Sequence, residues 1–149
     1  RWARLGMPSA SEFLLDTHAW VWLLDGESRR IGPRARRLLN VAARSGGLRV
    51  SPVSAWEIGM LVRERRLQFG VACGEWIARA CRAPGISVTP LTPDAAAESS
   101  FLPGEFHGDP ADRMLVACAR GCDAVLVTAD DEILEYAKLG HVRAIDCRR

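Results

Sequence analysis

Short apolar runs alternate with longer stretches of helical period along this chain, the pattern of a domain whose parallel strands are joined by helices. The first run, Phe13-Leu14-Leu15, reads as a buried strand ending at Asp16. Thr17 is placed to cap the helix after it, where residues 18–24 put Trp20, Leu23 and Leu24 on a common side until Asp25-Gly26 stops the helix. Pro33 opens the next helix, with Leu38, Val41 and Ala42 as its apolar side, Arg34, Arg36, Arg37 and Arg44 on the remaining surface, and Gly46-Gly47 as its end. A strand over 48–51, a helix beginning at Ser54, a helix over 74–82 and a strand over 86–88 follow. Thr92-Pro93 starts a further helix with a capping Thr and Pro at its first position, and 101–108 reads as a loop. Pro110 begins a helix whose apolar body is Met114, Leu115, Ala117, Cys118 and Ala119, broken by Gly121. A strand over 124–127, a helix over 131–139 and a strand over 142–145 complete the chain, with no internal repeat and no linker to divide it.

In an open parallel sheet, ligands bind beyond the carboxyl ends of the strands. Three of these ends carry polar chemistry: Asp16 and Thr17, then Ser51 and Ser54, then Thr128, Asp130 and Asp131. Glu57 lies one turn into the helix after Ser54, and Asp112 lies at the start of the helix opened by Pro110. Taken singly, an Asp at such a junction is an ordinary cap or first-turn charge worth about 0.3–1 kcal/mol, a role that suits Asp131, and Asp109 just before Pro110. Taken together the acids read differently. Two carboxylates about 4 Å apart repel by about 4 kcal/mol at an effective dielectric near 20, so a site with three or four of them binds cations. Oxygen-only ligation favours Mg²⁺ or Mn²⁺ over zinc. Such ions acidify water and neutralise charge at phosphorus, which points to metal-assisted phosphodiester hydrolysis.

Composition narrows the class without naming a partner. The 149 residues are 48% hydrophobic and 26% charged, enough for one globular domain and unlike disordered or low-complexity chains. A formal charge of +2 is too balanced to imply a nucleic-acid or membrane surface by itself. Lys138 is the one lysine among twenty basic residues, but the arginines run through the whole chain and mark no site. Cys73, Cys81, Cys118, Cys122 and Cys147 form no CxxC pair and read as reduced thiols of a cytoplasmic protein. No apolar stretch approaches the ~20 residues of a membrane span. Residues 1–11 read as an N-terminal extension or a vector remnant, leaving 12–149 as the domain.

The stretches Leu14-Leu15-Asp16-Thr17-His18, Ser54-Ala55-Trp56-Glu57-Ile58, Gly108-Asp109-Pro110-Ala111-Asp112-Arg113-Met114-Leu115 and Leu126-Val127-Thr128-Ala129-Asp130 resemble, in order and spacing, the four signatures of PIN-domain ribonucleases, and more closely those of VapC toxins from bacterial toxin–antitoxin pairs. The resemblance implies an α/β fold, a three-layer α/β/α sandwich around a mainly parallel sheet. It also implies a catalytic, metal-holding quartet of Asp16, Glu57, Asp112 and Asp130, served by Mg²⁺ or Mn²⁺. Thr128 and Ser54 match supporting polar positions, Asp109 is expected to help through water, and Arg113 is expected near substrate phosphate or an antitoxin carboxylate. The implied substrate is RNA, tRNA or another structured RNA among the possibilities, and the implied partners are a cognate VapB-like antitoxin and a second copy in a homodimer. The Asp130-Asp131 pair leaves two choices for the fourth acid, of which the spacing from Thr128 selects Asp130.

Two basic clusters, Arg29 and Arg30 with Arg34, Arg36 and Arg37, and separately Arg63, Arg65 and Arg66, offer contacts to RNA backbone. The helical spacing of Trp20, Trp22, Trp56 and Trp76 favours core or dimer interface over base stacking. Other classes fit less well. A phosphoacceptor domain needs an acidic pair at the first strand and a lysine after the last, whereas Asp16 stands alone and Lys138 falls inside a helix. A haloacid-type phosphatase needs Asp-x-Asp where this chain has Asp16-Thr17-His18. A non-catalytic PIN module that binds RNA or a partner is the remaining alternative.

Overall fold

The computed structural model describes residues 12–149, so the expected extension 1–11 lies outside the described residues. Five short strands, β1 (Phe13–Leu15), β2 (Leu48–Val50), β3 (Ile86–Val88), β4 (Val125–Thr128) and β5 (Ala144–Asp146), form one sheet in the order β3-β2-β1-β4-β5. Every pairing is parallel, and Phe13 stands opposite both Leu48 and Val125. The helices are α1 (Thr17–Leu24), α2 (Pro33–Arg44), α3 (Pro52–Arg63), α4 (Cys73–Cys81), α5 (Pro93–Glu98), α6 (Pro110–Gly121) and α7 (Asp131–Lys138), with a 3₁₀ turn at Ser28–Arg30.

The period-2 alternation of the central strands separates two cores. Phe13, Leu15, Val125 and Val127 pack on one face with Trp20 of α1, Leu39 of α2 and Trp76 of α4. Leu14 and Leu126 point the other way, into Leu115 and Val116 of α6 and Ile133 and Tyr136 of α7. This is the three-layer α/β/α sandwich expected of the sequence. Both faces of β1 and β4 are buried, which is why these strands are continuous apolar runs instead of alternating ones. Among the described residues, no helix is long and apolar enough to cross a membrane.

Several local expectations are corrected. Asp16, and not Thr17, is the N-cap of α1: its carboxylate accepts the Thr17 N–H, which frees the Thr17 hydroxyl to turn inward. Helix α3 starts at Pro52 with Ser51 as its cap, so Ser54 lies in the first turn, fully buried. The packed side of α2 is Ala35, Leu39 and Ala42, whereas Leu38 and Val41 are 39% and 61% exposed. Strand β4 is shifted one residue later than 124–127, β5 is Ala144–Asp146 in place of 142–145, and α4 is shifted one residue earlier than 74–82. Thr92 and Asp109 do cap α5 and α6 through the N–H groups of Ala95 and Asp112.

Candidate active site

The strand order reverses between β1 and β4, and their carboxyl ends open a crevice at this switch point. Asp16 follows β1, Thr128 ends β4, Asp130 caps α7, Asp112 sits in the first turn of α6, and Glu57 projects from α3. Residues 114 positions apart in sequence, Asp16 and Asp130, thus come to one rim because their strands are neighbours.

Asp16 is buried, and both its oxygens are held. Oδ1 accepts the Thr17 N–H at 2.7 Å and Oδ2 accepts the Thr128 hydroxyl at 2.6 Å. Burial pushes its pKa up, Glu57 adds to the rise, and the two hydrogen bonds with the His18 charge oppose it. Thr128 Oγ1 also accepts the Asp130 N–H at 2.9 Å, so one hydroxyl ties two acids together. Asp130 Oδ1 in turn accepts the N–H groups of Glu132 and Ile133 at 2.8 and 3.0 Å. On the opposite wall, Thr17 donates to Glu57 Oε1 at 2.5 Å, with the Ser54 hydroxyl 3.0 Å from the same Thr17 oxygen. Since a hydroxyl has one proton and a carboxylate only accepts, the chain runs Ser54 to Thr17 to Glu57.

Asp112 shows what the arrangement does electrostatically. Its pKa is pushed up to about 8, first by burial and then by the charges of Asp16, Asp109, Asp130 and Glu57. The four sequence-predicted acids are therefore brought together, and Asp109, the cap of α6, joins them. Arg113 turns elsewhere: Nε donates to Ser99 O at 2.8 Å and Nη1 to Phe106 O and His107 O at 2.9 and 3.1 Å. Two of its nitrogens thus fasten the loop before α6.

Sequence reasoning missed three participants. Thr17 was read as a cap, and its inward hydroxyl follows only from Asp16 taking that role. His107 Nε2 lies 3.3 Å from Asp112 Oδ2 and 3.2 Å from Glu132 Oε2, directed as a hydrogen bond at neither. The available signal for His107 was its place two residues before Asp109; Glu132, on the exposed side of α7, gave none.

The donor set suits a hard divalent cation: carboxylate oxygens only, mutually repelling, with Glu57 Oε2 and Asp130 Oδ2 not engaged by the hydrogen bonds above. Among the described residues, no three His, Cys, Asp or Glu side chains stand close enough to enclose an ion as they are placed. Binding an ion in this cluster requires side-chain rotation, with Asp16 held fixed by its two hydrogen bonds.

The sequence matches the PIN domain family over residues 13–139. It is 32% identical over 123 residues to Ribonuclease VapC22 of Mycobacterium tuberculosis (strain ATCC 25618 / H37Rv), covering 83% of this chain and 90% of that protein. The fold is similar to that in the crystal structure of VapBC2 from Rickettsia felis bound to a DNA fragment from their promoter, with a TM-score of 0.64 at 13% identity over 89% of this chain and 96% of that one. It is likewise similar to DNA-bound VapBC from Salmonella typhimurium, with a TM-score of 0.62 at 17% identity over 91% of this chain and 98% of that one.

Proposed function

The chain belongs to the PIN-domain family, and from that premise we propose that it is a metal-dependent ribonuclease of the VapC toxin type, neutralised by a small VapB-like antitoxin. The observation that carries the reading is the convergence at Asp112 of charge from Asp16, Glu57 and Asp130, three acids from three other segments of the chain. Capping accounts for Asp16 and Asp130 singly, at α1 and α7, but not for Glu57 and Asp112 being turned toward them. RNA as substrate is supported by the ribonuclease likeness, and the antitoxin by the VapBC assemblies to which the fold is similar.

In this reading Asp16, Glu57, Asp112 and Asp130 hold Mg²⁺ or Mn²⁺. When bound, the cation supplies positive charge for the phosphoryl oxygens and acidifies water for attack at phosphorus. Thr128 fixes Asp16 and Asp130 to one another, and Ser54 acts through Thr17 on Glu57. Asp109 orients Asp112 by holding its backbone N–H. The substrate role of Arg113 rests on its remaining nitrogen, and its loop-fastening bonds set where His107 stands. Action in the cytoplasm and assembly as a homodimer belong to the same reading, the latter tested by the molar mass in solution.

The test incubates antitoxin-free protein with total RNA or tRNA and Mn²⁺ or Mg²⁺, beside EDTA and Asp112→Asn controls. Discrete fragments that vanish in both controls are expected. Equal cleavage by Asp112→Asn refutes the site, and no cleavage of any RNA class by folded, metal-bound protein favours a non-catalytic binding module.

A further inference from the structure

The acid cluster does not end at a wall. Helices α1 and α3 lie against one another, and each begins at the cluster, α1 with Asp16 and Thr17 and α3 with Glu57 in its second turn. Between them runs a groove of about 350 Å³ whose lining includes His18, Trp22, Arg30, Leu61, Arg66 and Leu67. His18 and Leu61 lie next to acids already placed: His18 follows Thr17, and Leu61 is one helical turn beyond Glu57.

The exposed His18 ring packs on Trp22 at 5.9 Å between centroids with a 49° tilt, and the Arg30 guanidinium lies 5.3 Å from the Trp22 ring centre. Trp22 therefore backs a planar, exposed guanidinium, an arrangement suited to stacking a base. The acidic groups at the far end are already engaged, Asp25 accepting the Trp76 indole N–H at 3.2 Å and Glu27 paired with Arg30 at 2.6 Å. Such an exposed ion pair is weakly held and can yield to phosphate. Arg66 has only a long, exposed contact with Glu64 at 3.4 Å, and Arg29, Arg63 and Arg65, neighbours of the lining arginines in sequence, are all exposed. Aromatic surface interleaved with arginine is the chemistry that holds single-stranded nucleic acid without reading its sequence.

We propose that this groove holds the single-stranded RNA flanking the cleaved phosphate, with Arg30 on its Trp22 backing stacking one base and Arg66 facing the backbone. The inference rests on the nuclease reading for its substrate, but not for its test.

The test measures binding of a fluorescein-labelled twelve-nucleotide oligouridine RNA by anisotropy, in EDTA so that no cleavage occurs, using antitoxin-free protein. Trp22→Ala is expected to weaken binding by about tenfold, within the range of a lost stacked base, and Trp22→Phe to retain most of the affinity. Arg30→Ala, at an exposed position that folding does not need, is expected to weaken binding and lower the salt slope by about one. Arg143→Ala, beside the far edge strand β5, leaves affinity within about twofold. Wild-type affinity in both Trp22→Ala and Arg30→Ala overturns the proposal. So does normal RNA binding by Trp22→Ala with lost capture of the co-expressed antitoxin, which assigns the groove to the protein partner. If the nuclease reading alone fails, wild-type protein shows no metal-dependent cleavage while anisotropy still depends on Trp22 and Arg30; if the groove alone fails, metal-dependent cleavage persists and RNA binding is the same with and without Trp22 and Arg30.

Discussion

Removing one charge from the acid cluster has a predictable effect on stability. In the metal-free protein Asp112 titrates near pH 8, against 3.8 for an unperturbed Asp. Between those values the folded state keeps a proton that the unfolded chain has lost. Stability therefore falls as pH rises through this window, the reverse of the ordinary salt-bridged carboxylate. Taken in full, the difference between pH 5 and pH 8 is about 4 kcal/mol, at about 1.4 kcal/mol per pH unit. Asp112 is partly buried, with its side chain 15% exposed, and water relaxation about the cluster reduces the effect to about 2 kcal/mol. Asn cannot titrate, so Asp112→Asn lacks this loss. In EDTA the variant's advantage over wild type should be smallest near pH 4 and should grow by about 4–8 °C between pH 5 and pH 8, at about 2–4 °C per kcal/mol for a chain of this size. Added Mn²⁺ should raise the wild type at pH 8 and move the variant much less. Thermal melts by circular dichroism read all of this. An Asp112→Asn advantage of equal size at pH 5 and pH 8 refutes the electrostatic account, because a packing effect has no reason to change with pH.

Three further outcomes follow from the same contacts. Thr128→Val removes the donor to Asp16 Oδ2 and the acceptor for the Asp130 N–H; a loss of about 2–3 kcal/mol in urea unfolding together with a marked drop in cleavage is expected, and unchanged stability rules out a role for this hydroxyl in holding a buried charge. Arg113→Lys cannot reproduce the three carbonyl contacts, so amide exchange should quicken over residues 99–108 with the rest of the chain unaffected. Gly85 has φ +83° and a Cβ there would meet Ala43 O at 2.4 Å; Gly85→Ala should cost about 2–4 kcal/mol by denaturant titration, and a loss under 1 kcal/mol shows that this approach is looser than described.

What the sequence made legible, and what it did not, divides along a physical line. Strands β1 and β4 and the acids after them were readable because a fully buried parallel strand has to be a continuous apolar run and its ligand end has to be polar. The face of α2 was not readable, since Leu38 and Val41 satisfy the same helical period as Ala35, Leu39 and Ala42, and only the tertiary packing, which buries the second set, decides between them. The cap of α1 failed for a related reason: Asp and Thr both cap well, and the choice between them was made by Thr128, 112 residues away, whose hydroxyl holds the second oxygen of Asp16. That choice has a consequence for function. With Asp16 as the cap, Thr17 is released to reach Glu57, so a decision that local propensity leaves open is settled by the assembly of the site, and the same two hydroxyls that settle it hold three of the four acids in register. The dependence runs in the direction a functional site requires, because burying Asp16 raises its pKa and the fold tolerates that burial only with Thr128 and the Thr17 N–H in place.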